Sequence, residues 1–231
     1  MIMQVSGGAD MGERIQIPTQ GMQCIGAWLA RPAGAPVGGV VIVQEIFGVN
    51  AHIRSLVEHY ASLGFAAIAP AVFDHVEADV ELGYDEPGVE RGRALAAAVG
   101  FERALEAVVS AAEAIASAGR IAAIGFCWGG TVSFLANTRH GMPAASYYGG
   151  RTVPFLGERP KAPLLMHFGE RDPIIPPGHV DLHRQALPEA EIHVYPAGHG
   201  FNCDQRADHD PASAALAGRR TLDFLHRTLR P

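Results

Sequence analysis

No apolar run in this sequence is long enough to cross a bilayer, which takes about 20 residues. The N-terminal stretch MIMQVSGGADMGERI lacks the apolar core of a secretory signal peptide. Positive charge is also scarce, because 18 Lys and Arg residues stand against 24 Asp and Glu residues, for a net charge of −6. Nucleic acids and anionic membranes favour the opposite balance. We therefore expect a cytoplasmic protein that binds neither.

Cysteine is rare as well, with only Cys24, Cys127 and Cys203 in the chain. An odd number at wide, irregular intervals fits neither a disulfide framework nor a zinc knuckle. No two His or Cys residues fall at metal-ligand spacing on one expected element. The sequence therefore predicts no metal site.

The 231 residues, 48% of them hydrophobic, suit one α/β domain over 1–231, with residues 1–12 loosely held. Short apolar or alternating runs predict strands, and segments with apolar residues at helical spacing lie between them. An irregular acidic segment covers about 70–88, and two helices follow it, over about 89–99 and 101–118. The strands are expected at 14–17, 24–30, 39–43, 65–69, 121–124, 144–148, 163–168 and 191–195. This alternation predicts a mainly parallel central sheet with helices on both faces and an active site at the carboxyl ends of its strands.

The segment IAAIGFCWGG, residues 121–130, carries the strongest chemical signal. It reads as a buried strand, a sharp turn through G-x-C-x-G and the start of a helix, which is the nucleophile-elbow pattern with sulfur in place of oxygen. Glycines two places either side of Cys127 leave room for the bend, and the helix N-terminus favours a thiolate. The alternative is a buried structural cysteine in a glycine-rich turn.

Two further candidates follow later strands, Asp172 in FGERDP and His199 in AGHGF. The order nucleophile, acid, histidine is the order of α/β-hydrolase triads. In such a triad the imidazole exchanges protons with the nucleophile, and the carboxylate orients the imidazole. Asp172 has two competing interpretations, a plain turn residue or replacement by Glu170. His199 is favoured over the other histidines of the chain because His167 and His193 lie inside expected strands.

An acyl-transfer site also needs two N–H donors for the oxyanion. The amide of Trp128, next after the nucleophile, is one candidate. The other is an amide in the loop after the strand at 39–43, and Ile46 is the best placed.

Four segments together resemble the dienelactone hydrolase family of α/β-hydrolases: QEIFGVN at 44–50, GFCWGG at 125–130, FGERD at 168–172 and GHGF at 198–201. The resemblance extends from about residue 14 to the end of the chain. It implies the α/β-hydrolase fold and hydrolysis of a lactone or ester, typically carboxymethylenebutenolide, with no metal or organic cofactor. It also implies that Glu45 contacts the resting nucleophile and releases it when substrate binds; the alternative is that Glu45 only braces its loop.

The resemblance implies arginines that hold a substrate carboxylate, and here the sequence departs from the family. The position that matches the arginine after the catalytic histidine is Cys203, interpreted as a small pocket-wall residue or, alternatively, a redox partner of Cys127. Arg206 lies three residues further on, and Arg93 matches the second family arginine. The remaining substrate-binding candidates are Tyr148, Arg151 and Phe201. Each arginine has the alternative of being a solvated surface charge.

The sequence thus predicts a Cys-His-Asp hydrolase, monomeric or a small homo-oligomer, that acts on a small ester or lactone through a thioacyl-enzyme. A broader carboxylesterase or thioesterase on the same triad is the second hypothesis. A ligand-binding or thiol redox-sensing protein without catalysis is the third. Substrate specificity and acyl turnover separate the three.

Overall fold

The computed structural model describes residues 12–20 and 24–229, so the expectation that 1–12 are loosely held lies, apart from Gly12, outside the described residues. The strands of the described chain are β1 (Glu13–Pro18), β2 (Cys24–Ala30), β3 (Gly39–Val43), β4 (Ala66–Pro70), β5 (Ile121–Phe126), β6 (Ala144–Tyr147), β7 (Leu164–Gly169) and β8 (Glu191–Tyr195). The α-helices are α1 (Ala51–Ser62), α2 (Glu86–Ala114), α3 (Trp128–His140), α4 (Pro177–Ala186) and α5 (Pro211–Leu229). Single 3₁₀ turns lie at Val72–His75, Ala116–Ala118 and Val153–Phe155.

All eight strands join one sheet in the order β1-β2-β4-β3-β5-β6-β7-β8. β1 and β2 pair antiparallel, as does β2 with β4, and every other pairing is parallel. The central strands are apolar throughout because both of their faces are covered by helices. The predicted parallel sheet of the α/β-hydrolase fold is confirmed.

The helices cover the sheet on both sides. α2 packs on α3 on one face, and α1 lies beside α5 on the other. The Asn50 side chain caps α1 by accepting a hydrogen bond from the amide of Ile53, as an N-cap residue should. α2 breaks at Gly100, where φ is 71°, which is the boundary expected between the two helices. None of the described helices combines the length and apolarity needed to span a bilayer.

The acidic segment after β4 is tied to the loop that follows β3. Gly48 forms an antiparallel bridge with Glu81, and the Leu82 amide donates to the Phe47 carbonyl at 3.0 Å. A Cβ on Gly48 would collide with the carbonyl oxygen of Val80, so glycine is required at this contact. The segment therefore braces the loop at 44–50.

Candidate active site

Cys127 stands at the apex of a strained turn between β5 and α3. Its φ is 53°, a conformation that a non-glycine residue adopts only under local constraint. The constraint is steric, because a Cβ on Gly125 would collide with the carbonyl of Gly129, and a Cβ on Gly129 would collide with that of Gln44. The Cys127 amide donates to the Tyr147 carbonyl at 2.9 Å, which anchors the turn to β6. The expected elbow geometry is present, and its sulfur is partly exposed.

Side chains from three strand ends form a contact series that begins at this sulfur. His199 Nε2 lies 3.1 Å from Cys127 Sγ, and His199 Nδ1 lies 2.7 Å from Asp172 Oδ2. Asp172 follows β7, and His199 follows β8. His199 and Asp172 are 3% and 4% exposed, so water competes little for this hydrogen bond. The arrangement can move a proton along one line from sulfur to imidazole while the carboxylate stabilises the cation.

The two oxygens of Asp172 have separate partners. Oδ1 accepts hydrogen bonds from the amides of Ile174 and Ile175 at 2.8 and 3.2 Å, while Oδ2 contacts the imidazole. Asp172 therefore stabilises the turn with one oxygen and contacts His199 with the other. Glu170 is exposed, and His167 is buried between Tyr195 and Thr221 hydroxyls, so neither reaches the sulfur.

The pKa of His199 is set by opposing effects. Burial alone lowers it, but the neighbouring Cys127 sulfur and the hydrogen bond to Asp172 raise the pKa to about 10. The imidazole is therefore cationic at neutral pH. Because folding raises this pKa, protonated His199 stabilises the folded protein. This contribution to the free energy of unfolding is complete below pH 6.5 and is lost as the pH rises through about 10.

We expect Cys127→Ala to lower the pKa of His199 from about 10 toward its ordinary value of 6.5. The alanine removes the sulfur whose interaction with the imidazole raises the pKa, and it leaves the burial that lowers the pKa. Titration of ¹⁵N-histidine by NMR measures the change, and the buried His167 provides an internal signal that should stay fixed. A His199 midpoint that does not move in the variant would contradict this account of the pair.

The backbone amides of Ile46 and Trp128 flank the same site. Both residues line the cavity that contains Cys127 and His199. Trp128 is the first residue of α3, and neither amide donates to a hydrogen bond within the described ranges. Gly92 of α2 packs on the Ile46 carbonyl so closely that a Cβ there would collide with it. The helix thereby holds the loop, and the role of the two amides as oxyanion donors stays a prediction.

The cavity above the sulfur has a volume of about 380 Å³. Apolar side chains form most of its wall, and the guanidinium groups of Arg93, Arg151 and Arg206 also line it. Arg93 and Arg151 are exposed and form no ion pair with any described residue. Two unpaired cations at an apolar cavity favour an organic anion as ligand.

Glu45 is paired with Arg206 in this structure. Arg206 Nη1 donates to Glu45 Oε1 at 3.3 Å, and Glu45 is 2% exposed. The other carboxylate oxygen, Oε2, is buried with no hydrogen-bond partner among the described residues. Glu45 makes no hydrogen bond to Cys127 here, because that sulfur faces His199. The gating role of Glu45 stays a prediction.

The Tyr148 ring packs against the imidazole of His199, and the Phe201 ring packs against Tyr148. Their ring centroids are 5.4 Å apart, and the Tyr148 ring lies 5.1 Å from that of His199. The Tyr148 amide donates to the His167 carbonyl at 2.7 Å with φ at 40°, which turns the ring into the fold. Both side chains are fully buried. Neither side chain lines the cavity that contains Cys127, and their role in substrate binding stays a prediction.

The sequence model of the dienelactone hydrolase family matches residues 25–229. This chain belongs to that family. A carboxymethylenebutenolidase from Pseudomonas putida is 33% identical over 228 residues, which cover 92% of this chain and 95% of the relative. A Synechocystis protein provisionally given the same name is 33% identical over 240 residues, covering 94% and 96%. A crystal structure from Klebsiella pneumoniae, provisionally named a dienelactone hydrolase, is 32% identical with a TM-score of 0.83 and covers 92% and 97%. The chain is a hydrolase of the α/β type.

Within the dienelactone hydrolase family, this chain has Cys203 at the position that matches an arginine after the catalytic histidine, and the structure shows where the nearby Arg206 lies. Cys203 is buried, and burial raises the pKa of its thiol to about 11. Arg206 reaches the cavity instead, over the rings of Phe47 and Tyr84 at 5.9 Å each. A Cβ on Gly200 would lie 2.7 Å from its Cζ, so the glycine beside His199 makes room for this guanidinium. Gly200 is therefore the feature of the sequence that could have indicated the position of Arg206.

Proposed function

We propose that this protein hydrolyses a small lactone or ester that carries a carboxylate, through a thioacyl-enzyme on Cys127. The observation that supports it most is the contact series from Cys127 to His199 to Asp172, with distances of 3.1 and 2.7 Å. The carboxymethylenebutenolidase relatives support the substrate class.

In the first half-reaction the Cys127 thiolate attacks the carbonyl carbon and forms a C–S bond. The amides of Ile46 and Trp128 stabilise the oxyanion of the tetrahedral intermediate. The carbon–oxygen bond to the leaving group then breaks, and His199 gives its Nε2 proton to the leaving oxygen. An enol leaves readily, so a lactone of an enol suits a thiolate.

In the second half-reaction water attacks the thioester. His199, now neutral, removes the proton from water, and Asp172 stabilises the imidazolium that forms. The C–S bond breaks, the acid product leaves, and the thiolate–imidazolium pair is restored. Protons and electrons balance over the cycle without any cofactor.

Specificity constants for three substrates test the proposal: dienelactone, a neutral aryl ester and a thioester. We expect turnover of all three, with dienelactone preferred by at least about tenfold, because one charged hydrogen bond contributes about 1.5–3 kcal/mol. A preference for neutral esters would support the broader esterase. Oxidation or ligand binding at Cys127 without any acyl turnover would support the non-catalytic alternative and contradict the proposal.

Arg93 is the residue expected to bind the substrate carboxylate, because it lines the cavity and has no carboxylate partner among the described residues. Arg93→Ala should lower kcat/KM for dienelactone about 10- to 100-fold and leave neutral esters within about twofold. Arg91→Ala is the matched control, since Arg91 lies on the same helix but pairs with Glu77. Equal losses on charged and neutral substrates would show that Arg93 does not bind the carboxylate.

A further inference from the structure

The fold brings together three metal-ligating side chains from distant parts of the sequence. His52 lies in the first turn of α1, while Cys203 and Asp204 lie in the loop that follows His199. One ligand atom from each of the three lies within 4.8 Å of the others. None of these residues belongs to the triad, and the 152-residue separation between His52 and Asp204 explains why spacing alone predicted no metal site.

The separations suit a tetrahedral ion. Zinc bonds of about 2.0–2.3 Å to nitrogen, oxygen and sulfur place neighbouring ligand atoms about 3.3–3.6 Å apart. His52 Nδ1 and Asp204 Oδ1 are already 3.2 Å apart. Closing the remaining pairs from at most 4.8 Å takes about one ångström, which side-chain rotation at the exposed Asp204 and small loop adjustments supply.

The three ligands differ in exposure in a way that favours capture of an ion. His52 is 3% exposed and Cys203 is fully buried, whereas the Asp204 side chain is 67% exposed. His52 Nε2 is buried without a hydrogen-bond partner among the described residues, so the imidazole has one partner, Asp204. An ion can enter from the Asp204 side with water in its fourth position.

A second layer of polar groups lies beside the sulfur. The Tyr84 hydroxyl is a neighbour of the Cys203 thiol, and the Asn50 side chain donates to the Tyr84 oxygen at 2.9 Å. Partners of this kind fix ligand orientation at known zinc sites.

We propose that His52, Cys203 and Asp204 bind a zinc ion and thereby fix the loop that carries Arg206. Nitrogen, sulfur and carboxylate donors together favour zinc over magnesium or calcium. On binding, the Cys203 S–H bond breaks and its proton passes to solvent, while the proton on His52 Nδ1 is exchanged for one on Nε2; sulfur–zinc and nitrogen–zinc bonds then form. The site lies one turn from the cavity, because the Arg206 amide donates to the Cys203 carbonyl at 3.1 Å and the Cys203 amide to the Gly200 carbonyl at 2.9 Å.

The test must exclude zinc binding at the catalytic sulfur. We therefore use full-length protein with Cys24→Ser and Cys127→Ser, in which Cys203 is the only thiol. Isothermal titration with zinc chloride should give one site per chain. A hundredfold excess of zinc over Kd should raise Tm by roughly 5–10 °C. Cobalt chloride should produce a thiolate-to-cobalt charge-transfer band, which requires a sulfur ligand.

Two variants in this background locate the site. Adding Cys203→Ser should abolish the charge-transfer band and most of the zinc binding. Asp204→Asn alters an exposed side chain, so the fold is preserved, and should weaken zinc binding by at least about tenfold. Unchanged zinc affinity in both variants, or no binding in the starting protein at millimolar zinc, would overturn the proposal. None of these readouts depends on hydrolysis, so the site is tested separately from the proposed function.

Discussion

Cys127→Ala is expected to lower kcat/KM for ester or lactone hydrolysis by at least about 10³-fold. The alanine removes the atom that forms the acyl bond, and the oxyanion amides with the substrate cavity sustain only residual turnover. Steady-state kinetics on the best substrate measures the loss. Trapping of the thioacyl-enzyme by mass spectrometry should fail in the variant and succeed in the parent protein.

Cys24→Ser is the matched control for that experiment. Cys24 is an exposed thiol on β2, and it does not line the cavity that contains Cys127. Its replacement should leave kcat/KM within about twofold of the parent value, as expected for a surface substitution. Near-parental turnover by Cys127→Ala would remove the nucleophile from the mechanism.

Asp172→Asn should reduce kcat by about 10² to 10⁴-fold with little change in KM. The asparagine keeps an oxygen for the Ile174 and Ile175 amides, so the turn after β7 survives. Its amide group faces His199 Nδ1 with a donor in place of an acceptor, which disfavours the required tautomer and leaves the imidazolium unsupported. Circular dichroism should match that of the parent, which separates this loss from unfolding.

Glu170→Gln provides the control for Asp172, because it removes a carboxylate two residues away on an exposed position. We expect nearly parental kinetics from it. Comparable losses in the two variants would point to a general effect of charge near β7 and would contradict the specific role of Asp172.

The fold and the bend at Cys127 could be predicted because they depend on local sequence. Buried strands are recognised as apolar runs, and the turn between Gly125 and Gly129 is recognised from its own glycine spacing. The meeting of Asp172 and His199 followed from a general property of parallel sheets, whose carboxyl ends share one edge. The break at Gly100 was visible for the same local reason.

The orientation of side chains around the cavity could not be predicted in the same way. The family resemblance made Tyr148 a substrate-binding candidate, but the sequence did not show the positive φ that turns its ring into the fold. Counting along the loop after His199 identified Cys203 as the position that matches the family arginine, and spacing alone did not show that Arg206 of the same loop lines the cavity. The partner that His52 finds in Asp204 depends wholly on tertiary packing.

The contact between Gly48 and Val80–Leu82 has a consequence for how relatives of this protein diverge and can be recombined. The acidic segment and the loop that contains Ile46 are joined by the Gly48–Glu81 bridge, so we expect them to move together. Insertions or deletions at 76–82 should therefore shift Ile46, the proposed oxyanion donor, while the sheet remains intact. Chimeras between homologues should exchange both segments together, because a graft of one alone would yield a folded but slow enzyme.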